Sequence, residues 1–170
     1  MLHRTLTLAL SAAVVVAVAC QSDKETTAPV SKIVTFRATL NGASEVPANT
    51  TTGTGTFTAT LDTATNLFIY DIVFSGLTSN VSNGHIHGPA TAAATAGATL
   101  NFNTWPGAQF SFGAPAGTGH GVATLTAATQ VTATVNGDSL KKLLFAGLTY
   151  ANIHTTQNGG GEIRGQILKQ

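Results

Sequence analysis

The chain is 170 residues long with a formal net charge of +1; 43% of its residues are hydrophobic and only 9% are charged. That length supports one compact domain with a real core, not two. No basic patch extends beyond Lys141-Lys142 and no acidic run is present, which argues against a nucleic-acid partner and against a calcium cage. The only cysteine, Cys20, excludes an internal disulfide framework.

In chain order, residues 1–19 read as an export signal: Arg4 makes the start basic, and 6–19 is an apolar run too short for a comfortable membrane span. Ala17-Val18-Ala19-Cys20 resembles a bacterial lipobox, with Ala17 standing where leucine is usual. The resemblance implies diacylation of Cys20 and a membrane partner reached through that lipid, hence a place in the bacterial cell envelope. Residues 20–32 are polar and lack periodicity, as a flexible tether does.

From Ile33 to the C-terminus the pattern is β. Val34, Phe36, Ala38 and Leu40 alternate with polar partners, as do Phe57, Ala59 and Leu61, and each set predicts a half-buried strand. Residues 67–74 are apolar on both faces apart from Tyr70 and Asp71, which predicts a central, doubly buried strand. Residues 90–97 are nearly all Ala and Thr and read as an irregular loop, with a short strand over 98–102. Phe110 and Phe112 are expected in the core, and the glycine-rich 117–121 as a flexible lead into a strand at 122–126. The spacing predicts one helix over 138–147, with Asp138 as its cap, Leu140, Leu143 and Leu144 on one face and Gly147 as a left-handed exit. Short strands at regular spacing, divided by Gly, Asn and Pro turns, predict an all-β Greek-key sandwich or barrel with one short helix near the C-terminus.

Chemistry concentrates in two segments. In Gly84-His85-Ile86-His87-Gly88-Pro89 the two imidazoles leave an extended chain on one face while Ile86 faces the other. In Tyr150-Ala151-Asn152-Ile153-His154-Thr155 the same arrangement recurs, with Asn152 and His154 sharing a face. Convergence of His85, His87 and His154 would make a site for zinc or copper, with His120, in its Gly-flanked loop, as a fourth candidate ligand. Glu162, Arg164 and Gln166 share one face of the last strand. Together with Asn152 and Thr155 they equally suit a polar plug that locks one end of the fold. Glu45 and Asp71 are too isolated for a carboxylate pair, and no Ser-nucleophile or phosphate-binding motif occurs.

Three segments in order are similar to the CHRD domain, the module named from chordin and found in exported bacterial proteins: the F-x-A-x-L-x-G-x-x-E-V-P stretch from Phe36 to Pro47, Gly84-His85-Ile86-His87-Gly88-Pro89-Ala90, and the pair formed by 150–155 and 161–166. The resemblance covers 33–170 and implies an immunoglobulin-like all-β fold without a settled activity. It supports a binding or structural module whose ligand the sequence does not name, and an enzymatic role is not expected. The cysteine-rich repeats that accompany this module in chordin are absent. More loosely, the order of His85, His87, His154 and Arg164 resembles copper-zinc superoxide dismutases, which implies a copper-type site with an anion-guiding arginine. The intrachain disulfide and the zinc loop of that family have no counterpart here.

Overall fold

A computed structural model describes residues 30–105 and 107–170. The export signal, Cys20 and most of the tether lie outside the described residues. The strands are β1 (Ile33–Asn41), β2 (Thr54–Asp62), β3 (Leu67–Ser75), β4 (Val81–His87), β5 (Ala98–Asn101), β6 (Gln109–Phe110), β7 (Gly117–Thr124), β8 (Thr149–Thr155) and β9 (Ile163–Lys169). One helix, α1 (Gly137–Phe145), precedes β8. The nine strands among the described residues form one antiparallel sheet in the order β5-β4-β8-β9-β1-β2-β3-β7-β6. The sheet curls into a half-barrel, so the all-β architecture with one late helix is as expected. No described helix is long and apolar enough to cross a membrane.

Period-two alternation builds the inner face. Phe36 and Leu40 of β1, Phe57 and Leu61 of β2, Ile86 of β4, Ile153 of β8 and Ile163 and Ile167 of β9 are all fully buried in one core. Sheet curvature brings the outer strands together: Phe102, just beyond β5, lies 5.6 Å from Phe110 of β6. Val81 of β4 exchanges backbone hydrogen bonds with the 113–114 segment, its N–H donating to Ala114 and its carbonyl accepting from Gly113 at 3.1 Å each. Gly84 permits this approach, since a Cβ there would sit 2.5 Å from Phe110 Cζ and 2.8 Å from Phe102 Cδ2.

Four expectations change. β3 is interior to the sheet, yet Val73 is 55% exposed and Leu67 and Asp71 also face out, because no layer among the described residues covers that side. Tyr70, taken as one of its polar exceptions, is instead buried in the core. The glycines of 117–121 belong to β7 itself, where Gly121 leaves room for the Tyr70 ring and Gly119 for Phe110. Phe112 is exposed and Phe110 only half-buried. In the helix, Asn136 and not Asp138 is the cap, accepting from Ser139 N–H at 2.9 Å. Asp138 instead sits in the first turn, favourable to the helix dipole, and pairs with Lys141 at 3.0 Å. Leu140 and Leu144 face the core, and Gly147 at φ 65° ends the helix as expected.

Substituting Gly84→Val should therefore cost about 1–3 kcal/mol of stability through overpacking at this closure and lower the denaturant midpoint accordingly. A denaturant titration that matches the parent would show that the outer strands do not meet there.

Candidate functional site

The face of β4, β8 and β9 that points away from the core carries almost every polar residue singled out above. Register sets them in rows: His85 opposite Asn152 opposite Arg164, and His87 opposite Tyr150 opposite Gln166, with Asn83 opposite His154. Every residue of β8 is buried, so this face is enclosed as well as the core face. Two loops help cover it: residues 88–97 after β4, which bond to Arg164, Gln166 and Tyr150, and residues 42–49 after β1, which supply Glu45 against Asn152.

Three imidazoles converge there. His85, His87 and His154 each offer one nitrogen, and these atoms all lie within 4.8 Å of one another. His85 Nδ1 is 3.0 Å from His154 Nε2, and His87 Nε2 is 3.4 Å from the same atom. The far nitrogens are fixed by carbonyls, His87 Nδ1 donating to Ala96 at 2.9 Å and His154 Nδ1 donating to Gly159 at 3.0 Å. A carbonyl only accepts, so both rings keep the proton on Nδ1 and turn a lone pair inward from Nε2. Burial, and then the adjacent His154 and His87, push His85 down to about 4. Burial likewise pushes His87 down to about 4, against the Ala96 carbonyl, and holds His154 below its usual range. At neutral pH the trio is uncharged, the form that ligates metal. Two nitrogens bound tetrahedrally to one zinc ion at about 2.0–2.1 Å stand about 3.3–3.4 Å apart, close to the His87–His154 spacing.

His120 stands apart. Its Nδ1 pairs with Asp71 Oδ1 of β3 at 2.8 Å, and it is not in the group formed by the three imidazoles.

The remaining polar residues divide into three units instead of one plug. Glu162 is fully enclosed and accepts from Thr51 Oγ1 at 2.7 Å, Thr78 N–H at 2.6 Å, Thr78 Oγ1 at 2.9 Å, Thr155 Oγ1 at 2.7 Å and Asn158 Nδ2 at 3.2 Å. Burial opposes its ionisation, but those donors outweigh it and hold the carboxyl down at about 2. Asn152 donates to Glu45 at 3.1 and 3.3 Å. Arg164 makes no ion pair with Glu162: its Nη2 donates to the Thr91 carbonyl at 3.1 Å and the Ala94 carbonyl at 2.7 Å. Its guanidinium carbon lies 3.5 Å from the Tyr150 ring centroid, and Tyr150 in turn stacks parallel on His87 with centroids 4.9 Å apart. Gln166 Nε2 donates to Ala90 and Gly147 carbonyls at 2.9 and 2.7 Å.

Sequence reasoning missed Glu45 and Tyr150. Glu45 is buried, and desolvation raises it to about 7 despite the nearby Arg164. The E-V-P motif holding it was visible; its partner, 107 residues away, was not.

An outward-facing imidazole triad on an antiparallel half-barrel defines an all-β domain with a candidate metal centre. The CHRD domain family model matches residues 36–167, most of the chain, and the protein belongs to that family. No curated protein and no solved structure matches it.

Glu162 and Glu45 should leave opposite marks on stability. With a folded pKa depressed from 4.5 to about 2, Glu162 contributes stability that is complete above 4.5 and lost as pH falls towards 2. With a folded pKa raised to about 7, Glu45 favours the fold below 4.5, and that preference is lost as pH rises from 4.5 through 7. Glu162→Gln should cost about 1–3 kcal/mol at neutral pH and flatten the acid limb of melting temperature against pH. Glu45→Gln should flatten the limb between 4.5 and 7. Parallel curves for variant and parent would reject both assignments.

Proposed function

We propose that this protein is an exported, lipid-anchored CHRD module that binds a zinc or copper ion through His85, His87 and His154. What carries this reading is the pair of inward-facing acceptors, His87 Nε2 and His154 Nε2, 3.4 Å apart with their protons committed to carbonyls behind them. Without a metal only His154 Nε2 is answered, by His85 Nδ1, and the buried His87 Nε2 lone pair faces it without a donor; a cation between the rings would satisfy all three nitrogens. His85 would complete the set in its other neutral tautomer, with the proton that Nδ1 donates to His154 in the metal-free form carried on Nε2 instead. Imidazole suits zinc and copper above magnesium or calcium, and three protein ligands leave a coordination position open. No cysteine or carboxylate belongs to the group among the described residues, so the bound ion keeps its full charge.

The purified protein should carry near-stoichiometric zinc or copper by elemental analysis and lose it in the His85→Ala/His87→Ala variant. Parent protein that stays empty when titrated with either ion would end this reading.

The anchor is supported by Ala17-Val18-Ala19-Cys20 at the close of the apolar run. It places the domain at the cell envelope with the membrane as a partner, and the near-neutral surface gives nucleic acid no purchase. Membrane-extracted protein should gain the mass of a diacylglycerol on Cys20; a Cys20→Ser form equally retained in membranes would overturn the anchor.

A further inference from the structure

Every lysine among the described residues stands at one rim of the half-barrel, the rim where the chain enters. Ser31 Oγ donates to Asp62 Oδ2 at 3.0 Å, and the Lys32 carbonyl accepts from Thr63 N–H at 3.0 Å, so the segment arriving from Cys20 is fastened to the turn between β2 and β3. Thr63 and Asn66 of that turn share an open hollow of about 560 Å³ with Lys141, Lys142, Phe145 and Ala146 at the end of α1. Phe145 is 42% exposed; its inner edge meets Phe36 of β1, and Lys169 Nζ at the end of β9 lies 5.9 Å from its ring centroid. Exposed Val30 and Ile33 flank the entry of β1, and exposed Leu168 lies against Gly147 just past the helix. Lys141 is paired with Asp138, and the other ion pair among the described residues is the distant His120 with Asp71, which leaves Lys32, Lys142 and Lys169 unpaired. The remaining side-chain carboxylate of this rim, Asp62, is taken up by Ser31 and by the Ala64 N–H at 2.9 Å.

We propose that this rim lies on the surface of the membrane that holds the Cys20 lipid and binds its anionic phospholipid headgroups, an inference that rests on the anchored reading above. Charge and reach both point to that occupant. Exposed apolar groups set among unpaired ammonium groups on long apolar stems match the interfacial zone of an anionic bilayer, where hydrocarbon edge and phosphate lie side by side. Phe145, Ile33 and Leu168 enter the apolar edge, and Lys32, Lys142 and Lys169 meet the phosphates. The ten residue steps from Cys20 to Val30 span at most about 35 Å even fully extended. A lipid on Cys20 therefore keeps this rim close to the bilayer at high effective concentration, so that weak contacts suffice. The imidazole row, level with Arg164, stands five steps up β9 from Lys169, about 17 Å along the strand. Docking at the rim thus holds the candidate metal centre above the headgroups, facing the envelope space.

Coupling the full chain through Cys20, its only thiol, to a maleimide lipid in vesicles tests docking whether or not cells attach a diacylglycerol, which the mass of membrane-extracted protein decides separately. In vesicles of phosphatidylcholine with brominated phosphatidylglycerol, the emission added by Phe145→Trp should be mostly quenched. The emission added by Val73→Trp, on the open outer side of β3, should not be. Adding Lys32→Glu, Lys142→Glu and Lys169→Glu to Phe145→Trp should lower the ratio of docked to free domain about tenfold or more, as should brominated phosphatidylcholine alone. These positions are exposed, so each variant should melt with the parent. Unquenched Phe145→Trp emission, equal quenching of Val73→Trp, or quenching indifferent to the charge reversals would each overturn the proposal. Phe145→Trp emission already shielded from iodide without vesicles would assign the rim to residues 20–29 or to a second copy of the chain, and would overturn it as well.

Discussion

The Glu162 carboxylate is the constraint on which the far side of the sheet rests. It gathers donors from four separate places: Thr51 before β2, Thr78 before β4, Thr155 at the end of β8, and Asn158 in the turn that leads to β9. An ionised carboxylate fully removed from water is tolerable only with its lone pairs filled, and here they are. The consequence reaches the imidazoles. Asn158 is pinned to both Thr155 and Glu162, so the next carbonyl along, Gly159, is held where His154 Nδ1 can donate to it. His154 owes its tautomer to a turn whose shape Glu162 sets.

His87 is held by a parallel device of different chemistry. Its Nδ1 proton goes to Ala96, in a loop with almost no side chains capable of holding it in place. The loop is instead pinned from beneath: Arg164 binds the carbonyls of Thr91 and Ala94, Gln166 binds that of Ala90, and the Tyr150 hydroxyl lies 3.2 Å from Ala96 N and 3.3 Å from its carbonyl oxygen. Tyr150 also stacks on the imidazole, so one phenol sets both the ring plane and the carbonyl that fixes its proton. Two inward-facing nitrogens are therefore oriented by backbone carbonyls, each in a loop locked by a buried charged residue.

Much of this was legible in the chain. Alternation marks β1 and β2 because a half-buried strand must show it, and the two H-x-H-like and N-x-H segments place three rings on strand faces by period two alone. What alternation leaves open is which face becomes enclosed. β8 reads like a strand with one polar side, yet all seven of its residues are buried, because loops from β1 and β4 cover that side. β3 reads as doubly apolar, yet its outer side is open because no loop among the described residues crosses it. The cover after β4 is almost entirely Ala, Thr and Gly, without periodicity, and contributes through backbone carbonyls, while the cover after β1 contributes the Glu45 side chain. Glu45 was invisible as a site residue for the same reason: its burial depends on a loop folding back over Asn152. The β7 glycines look flexible in isolation and are ordered only by the Tyr70 and Phe110 rings packed against them.

The polar face cannot be explained as a lock alone. A lock spends its groups on one another, as Glu162 does with five donor contacts. Two other units nearby do not balance in this way. In the triad His154 Nε2 accepts from His85 Nδ1 at 3.0 Å while the His87 Nε2 lone pair, 3.4 Å from the same atom, is left without a donor, and Arg164 Nη1 and Gln166 Oε1 are buried without a partner among the described residues. A fold gains nothing in stability from either arrangement, since each unspent group costs its hydration. A cation between the three rings would answer the His87 lone pair together with those of His85 and His154. The residues that lock this face and those left unspent by the lock thus divide between holding the domain together and meeting something from outside it.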